Sequence, residues 1–266
     1  MANDIGWGQA SVNNTIGFGQ ATKNNTIGYG EVEKTSWSPE TNLTGIPDFI
    51  NEYSMIFDGI NEYITLGNSS NLNVTGDQSV SCWIKFNSNT GTSYVINVKD
   101  IFGVYTSGGR IQGFSRINGN FNNLPSSGTT YNDNQWHHVV FLKDANDLTL
   151  YIDGVFESEL LTAGGTSLGT TNDARLGNRY TNASHYTGTS DEIAIFDYKL
   201  TPSQIAEIYN NGTPTDISSL NPLGYWRMGD NATWNGSVWT LIDQGSGGND
   251  GTSVFMEEAD RVTDIP

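Results

Sequence analysis

The chain has 266 residues, 31 of them glycine, with 36% hydrophobic residues and a formal net charge of −17. Its 29 acidic and 12 basic residues set up a field that repels phosphate backbones, which argues against nucleic acid as a partner. A single cysteine, Cys82, rules out an intrachain disulfide, and no apolar run approaches the ~18 residues of a membrane span. Frequent Gly, Asn, Ser and Thr point to short strands joined by tight turns. Abundant carboxylates suit a hard cation, Ca²⁺ above all. The opening residues, Met1 to Gly6, show neither a basic nor an apolar leader region, so a route other than signal-peptide secretion is expected.

Taken in order, the chain begins with an 11-residue repeat: Ile5-Gly-Trp7-Gly, Ile16-Gly-Phe18-Gly and Ile27-Gly-Tyr29-Gly. In extended chain, Ile5 and Trp7 share one face while the glycines leave the other bare, and the same holds for Ile16 with Phe18 and Ile27 with Tyr29. Asn13-Asn14 and Asn24-Asn25 suit the turns between units. So short a segment buries too little surface to fold alone. It is expected to order against copies of itself or a partner's groove, which makes a homo-oligomer the expected state. Residues 1–36 form this arm, and residues 37–50, with Pro39 and Pro47, read as a linker.

The body starts with alternation over Tyr53–Asp58, and Tyr63–Leu66 after a tight turn reads as the second half of a hairpin. Val80, Cys82, Ile84 and Phe86 alternate with Ser79, Ser81, Trp83 and Lys85, the mark of a half-buried antiparallel strand. Further strands are expected over Tyr94–Val98, Ile101–Tyr105, Arg110–Ile117, Asn120–Leu124, Trp136–Lys143 and Leu148–Ile152, the last turning at Asp153-Gly154. His137 and His138 fall on opposite faces of their strand and cannot chelate together. Glu192–Phe196 reads as the last long strand. Thr201-Pro202-Ser-Gln204 is a helix start with an N-cap, Pro at N1 and a capping box, and Asn211-Gly212 stops the helix.

The Trp136-His opening, the Leu150-Tyr-Ile-Asp-Gly154 hairpin and the helix after Phe196 resemble the laminin-G-like branch of the concanavalin A-like lectin/glucanase superfamily. That resemblance implies a two-sheet antiparallel jelly-roll β-sandwich over residues 51–212, with one short helix near its C-terminal end. Residues 213–266 look like the opening strands of a second such unit. They are too few to complete one, so they should add strands to the sandwich or to a neighbouring subunit. Glycine-aromatic repeats beside such segments resemble parts of bacteriophage tail and capsid-associated proteins.

The same resemblance implies a Ca²⁺ site at the sandwich rim. Asp58 and Asp191 are the expected side-chain ligands, with Asn61 in the turn and Glu192 beside Asp191. The acid-glycine loop from Asp243 to Asp250 is a second candidate. Glycan recognition calls for aromatics flanked by polar groups, and Tyr105, Arg110, Tyr131, Tyr180 and Tyr186 are the candidates. Some relatives on this scaffold cleave glucans with Glu-x-Asp-x-(x)-Glu strands, but Glu157-Ser-Glu159 and Asp191 to Asp197 do not match. No catalytic residue is therefore assigned, and the chain reads as a non-enzyme. The expected role is a virion structural or attachment protein, head- or tail-associated, whose sandwich binds surface glycans and whose arm contacts virion proteins or its own copies. A bacterial carbohydrate-binding module or adhesin at the cell surface is the alternative, and a glycan hydrolase the third reading.

Overall fold

The computed structural model describes residues 49–266, apart from 88–90, 146, 163–164 and 168–169. The repeat residues Ile5, Trp7, Ile16, Phe18, Ile27 and Tyr29 lie outside the described residues. In chain order the strands are β1 (Ser54–Asp58), β2 (Tyr63–Thr65), β3 (Gln78–Lys85), β4 (Thr92–Val98), β5 (Phe102–Ser107), β6 (Arg110–Ile117), β7 (Asn120–Pro125) and β8 (Trp136–Lys143). They continue with β9 (Asp147–Ile152), β10 (Val155–Leu161), β11 (Arg175–Leu176), β12 (Thr187–Phe196) and helix α1 (Pro202–Tyr209). The last five are β13 (Gly224–Trp226), β14 (Ala232–Trp234), β15 (Trp239–Leu241), β16 (Gly251–Val254) and β17 (Arg261–Val262).

These strands form two antiparallel sheets packed as a sandwich. The first runs β10-β9-β8-β3-β12-β1-β17, with β13 also paired to β12; the second runs β14-β15-β16-β2-β11-β4-β5-β6-β7. Tyr63–Thr65 is not the hairpin partner of Ser54–Asp58: β1 pairs with β12 and β17, whereas β2 pairs with β11 and β16. The turn through Gly59 is an arch that carries the chain from one sheet to the other. Met55 and Phe57 thus reach the core from one side and Ile64 from the other.

Alternation decides what each sheet buries. From β3 and β8, Val80, Cys82, Ile84, Val139 and Phe141 point inward to meet Phe102, Val104 and Ile111 of the second sheet. Phe102 and Phe141 stack at 4.8 Å between centroids. Gly113 must be glycine, because a Cβ there would stand 2.0 Å from Phe141 Cδ2. The opposite residues of the first sheet make a second apolar layer. There Val140, Leu142, Ala194 and Phe196 receive Ile205 and Ile208 of α1. Burying each such side chain stabilises by roughly 1.5–3 kcal/mol, enough to hold a two-turn helix that would not persist alone. Thr201 and Gln204 close the expected capping box at its start.

Strands beyond α1 pair within the same two sheets: Ile193 with Trp226, Ile64 with Ser253, and Met55 with Arg261. Loop Asp243–Asp250 is stitched by its two terminal carboxylates, Asp250 Oδ1 accepting the Asp243 N–H at 2.9 Å. Asp243 Oδ1 accepts the backbone N–H groups of Tyr225 and Gly245, both at 2.8 Å, and Oδ2 accepts that of Asn249 at 2.7 Å. Its oxygens are thereby committed to shaping the loop.

Candidate functional site

The outer face of the second sheet carries the concentration of polar and aromatic groups that a ligand would meet. Period-two alternation on β6 sends Arg110, Gln112, Phe114 and Arg116 to that face while Ile111 and Ile117 go to the core. Cross-strand register then supplies their neighbours. Gln112 lies opposite Tyr105 of β5, Phe114 opposite Asn123 of β7, and Arg116 opposite Phe121. Tyr94, Tyr105 and Phe114 pack together, with Tyr94 and Tyr105 stacked at 5.2 Å. Phe121, 42% exposed, stacks on Phe114 at 5.3 Å.

Hydrogen bonds fix the polar end of this stripe. Gln112 Oε1 accepts from the Tyr105 hydroxyl at 2.8 Å and from Asn123 Nδ2 at 3.2 Å. This orients Gln112 so that its own amide N–H groups, and the Asn123 carbonyl oxygen, find no partner among the described residues. Burial pushes the Tyr105 hydroxyl up to about 12, so it stays a neutral donor.

At the other end, Asp100 sits between two arginines. Arg116 Nη2 is 2.8 Å and Nε 3.0 Å from Asp100 Oδ2. Arg179 Nε is 3.1 Å from Oδ1. The Arg116 guanidinium lies 5.5 Å from the Phe121 ring centre, and that of Arg179 lies 5.5 Å from Tyr180 and 6.0 Å from Tyr94. The stripe from Gln112 to Arg116 spans about 13 Å, long enough for a short oligosaccharide.

Of the expected glycan contacts, Tyr105, Arg110 and Tyr180 fall on or beside this stripe. Tyr131 does not: its ring packs edge-on against His137 at 4.9 Å and against the main core. Tyr186 is a correction. It is fully buried, packs 6.0 Å from Phe57, and its hydroxyl lies 3.2 Å from the carbonyls of Lys85 and Thr189. A ring that fills the core cannot touch a ligand. Gln112, Arg116, Phe121, Asn123, Asp100 and Arg179 were not among the sequence candidates. The Arg-x-Gln-x-Phe-x-Arg alternation carried a signal for the β6 members, while the others join through register alone.

The expected cation ligands are not brought into one shell. Asp58 pairs with Thr187, four residues along β12 from Asp191, so the carboxylates stand about 13 Å apart. Asp58 Oδ1 instead accepts the Ile60 N–H at 2.7 Å and shapes the arch, and Asn61 is exposed in the same turn. Asp191 is buried, taking Asn51 Nδ2 at 3.0 Å and the Glu192 N–H at 2.9 Å. Glu192, at φ 47° in a bulge of β12, faces Arg227 at 3.2 Å and the Tyr225 hydroxyl. Among the described residues no group of three or more His, Cys, Asp or Glu is placed to hold a metal ion.

The two histidines separate as alternation requires. His138 is fully buried, 2.9 Å from Ser81 Oγ, and burial drives it down to about 3. His137 bonds Asp153 at 2.8 Å and Asp133 at 3.2 Å; burial disfavours its charge, but these carboxylates outweigh that and raise it.

A cleft of about 460 Å³ opens on the outer face of the first sheet, lined in part by Ile56, Asp58, Thr187, Thr189, Asp260 and Asp264. The segment after β17 crosses its edge. Asp264 is held there by Lys85 at 2.8 Å, by Trp136 Nε1 at 3.2 Å and, through its carbonyl, by Ser54 Oγ at 2.6 Å.

Sandwich, outer-face helix and aromatic-amide stripe define a lectin-type β-sandwich. A laminin G family model of the concanavalin A-like lectin/glucanases superfamily matches residues 58–206, more than half of the chain, and the chain belongs to that superfamily. Among solved structures it is similar to a protein of Bacteroides ovatus ATCC 8483 described as a candidate carbohydrate binding protein. The TM-score is 0.60 at 14% identity, over 76% of this chain and 58% of that one. It is also similar to the binding domain of Paraclostridial Mosquitocidal Protein 1, with TM-score 0.48, 17% identity and coverage of 59% and 45%. The heptameric SAP-like pentraxin of Limulus polyphemus gives TM-score 0.45 at 15% identity, covering 60% and 82%. The chain thus spans little more than half the length of the first of these. No curated protein matches its sequence.

Proposed function

We propose that the chain is a virion structural and attachment protein, associated with a bacteriophage head or tail, whose sandwich binds glycans through the outer face of its second sheet. Its N-terminal repeat anchors it to virion proteins or to its own copies. One observation carries the glycan reading. Gln112 and Asn123 are oriented by Tyr105 and by each other, yet keep hydrogen-bonding capacity toward solvent beside the exposed Phe121 ring. Fixed amides next to an apolar ring suit a sugar, which offers hydroxyls and an apolar C–H face. The carboxylate bordering the stripe, Asp100, is engaged by two arginines, whereas glycoside cleavage calls for two carboxylates flanking the bond. Binding without cleavage is therefore the reading.

A glycan microarray probed with the full-length protein and with the Q112A/N123A double variant tests it. The variant should lose about tenfold or more in apparent affinity with its thermal midpoint unchanged. Retention of wild-type binding by the variant would remove this face from the account. No retained glycan at all would remove the glycan reading.

A further inference from the structure

Resting on the glycan reading, we infer that the stripe selects an anionic, carboxylate-bearing saccharide, with Arg116 and Arg179 as its paired recognition point. The whole chain carries −17, yet at this spot one carboxylate faces two guanidiniums. Asp100 is 4% exposed, so its charge is turned inward. The arginine side chains remain 30% and 31% exposed. The local surplus of one positive charge therefore faces solvent.

The donor inventory agrees with the charge count. Arg116 uses Nε and Nη2 on Asp100, with Nε also 2.9 Å from the Asp100 carbonyl. Arg179 uses Nε and Nη2, the latter at 3.3 Å from Oδ2. Nη1 of each finds no acceptor among the described residues. Two planar groups with free N–H edges, each held by Asp100 and within cation–π distance of an aromatic ring, are preorganised for an incoming carboxylate.

The β4–β5 turn presents Asp100 to both arginines. Its central residues, Lys99 and Asp100, have φ 56° and 61°, where Asn and Gly are the usual occupants. Both side chains are in use. Lys99, fully buried, reaches Asn68 and the Ser69 carbonyl, while Asp100 holds the two arginines and its N–H is capped by Asn97 Oδ1 at 2.8 Å. Gln112, about 13 Å away on the same face, and Asn123, opposite Phe114, would meet neutral hydroxyls further along the chain of sugars.

The test uses the full-length protein with three matched probes: a uronate-containing oligosaccharide, its carboxyl-reduced neutral counterpart, and a sulfated counterpart. The wild type should bind the uronate form about tenfold or more tighter than the neutral one, and rising salt should shrink that preference. R116Q and R179Q should each bring the two toward parity. R116K, which keeps the charge and loses the fork, should fall between. Should a glutamine variant unfold, the R116K result and the salt dependence still decide. Equal binding of uronate and neutral forms overturns the inference while leaving glycan binding intact. Preference for the sulfated form over the uronate overturns the choice of carboxylate. Failure to bind any of the three removes the glycan reading itself.

Discussion

Asn51 Nδ2 lies 3.0 Å from Asp191 Oδ2, while the other polar atom of the same amide, Asn51 Oδ1, is buried without a partner. Half a turn of the amide would let that oxygen accept a proton carried by Asp191. Burial, aided by the adjacent Glu192 charge, pushes the Asp191 carboxyl well above its ordinary value. The Asn51 and Glu192 N–H groups favour the charged carboxylate, but burial outweighs them and holds Asp191 toward its neutral form at the centre of the first sheet.

A sign follows for stability. A carboxyl raised in the folded state contributes stability that is whole below its unfolded value, 3.8 for Asp, and is lost as pH rises through the folded value. D191N mimics the neutral form at every pH. It should match the wild type near pH 4 and become progressively more stable than it above that, by at most about 1.4 kcal/mol per pH unit. Urea unfolding of both proteins across this range checks it; parallel curves would contradict it. His138 works in the opposite sense in both proteins, its contribution whole above 6.5 and lost as pH falls toward 3, so it cancels from the difference, which carries Asp191 together with its adjacent partner Glu192.

Packing across the sandwich depends on Gly113 giving way to Phe141. G113A places a methyl group 2.0 Å from that ring and should destabilise by about 1–3 kcal/mol. F141A should cost about 3–5 kcal/mol through the cavity it leaves. The double variant should be more stable than the sum of the two single effects predicts, since each relieves the other's fault. Strict additivity in denaturant unfolding would argue against this contact.

Asp264 ties the last segment across the first sheet through Lys85, whose side chain is 19% exposed, and Trp136. With Asp264 46% exposed, the pair is worth at most about 1 kcal/mol. D264A should scarcely change global stability. It should nonetheless raise hydrogen exchange over residues 261–266 and shift Trp136 fluorescence. A loss of several kcal/mol would give this segment a larger part in the fold than its contacts support.

For the arm, deletion of residues 1–36 should lower the mass measured by sedimentation to that of a monomer while leaving the far-ultraviolet spectrum of the sandwich intact. An unchanged assembly state would contradict its role in oligomerisation.

The sandwich was legible because its signals are local. Alternation over Ser79–Phe86 and Trp136–Lys143 already sorts core from outer face, and the Thr201-Gln204 capping box announces α1. The Ser54–Asp58 and Tyr63–Thr65 strands read as a hairpin in sequence because a hairpin and an inter-sheet arch share the same turn residues. Only the side from which Met55 and Ile64 reach the core tells them apart. The stripe was half legible. Arg110, Gln112, Phe114 and Arg116 are two residues apart and so share a face, but Phe121, Asn123, Asp100 and Arg179 reach them through strand register and loop closure. Tyr186 is not a contact because, although an aromatic in a polar stretch reads as exposed, its ring turns inward onto Phe57 and its hydroxyl onto the carbonyls of Lys85 and Thr189.

The most direct measurement is a crystal structure of the protein with a bound oligosaccharide carrying one uronate. The sugar should lie on the outer face of the second sheet, with a ring over Phe121, hydroxyls on Gln112 and Asn123, and the carboxylate on Arg116 and Arg179. Sugar density in the cleft between Thr187 and Asp264, or at the rim beside Asp58, with that stripe bare, would contradict it.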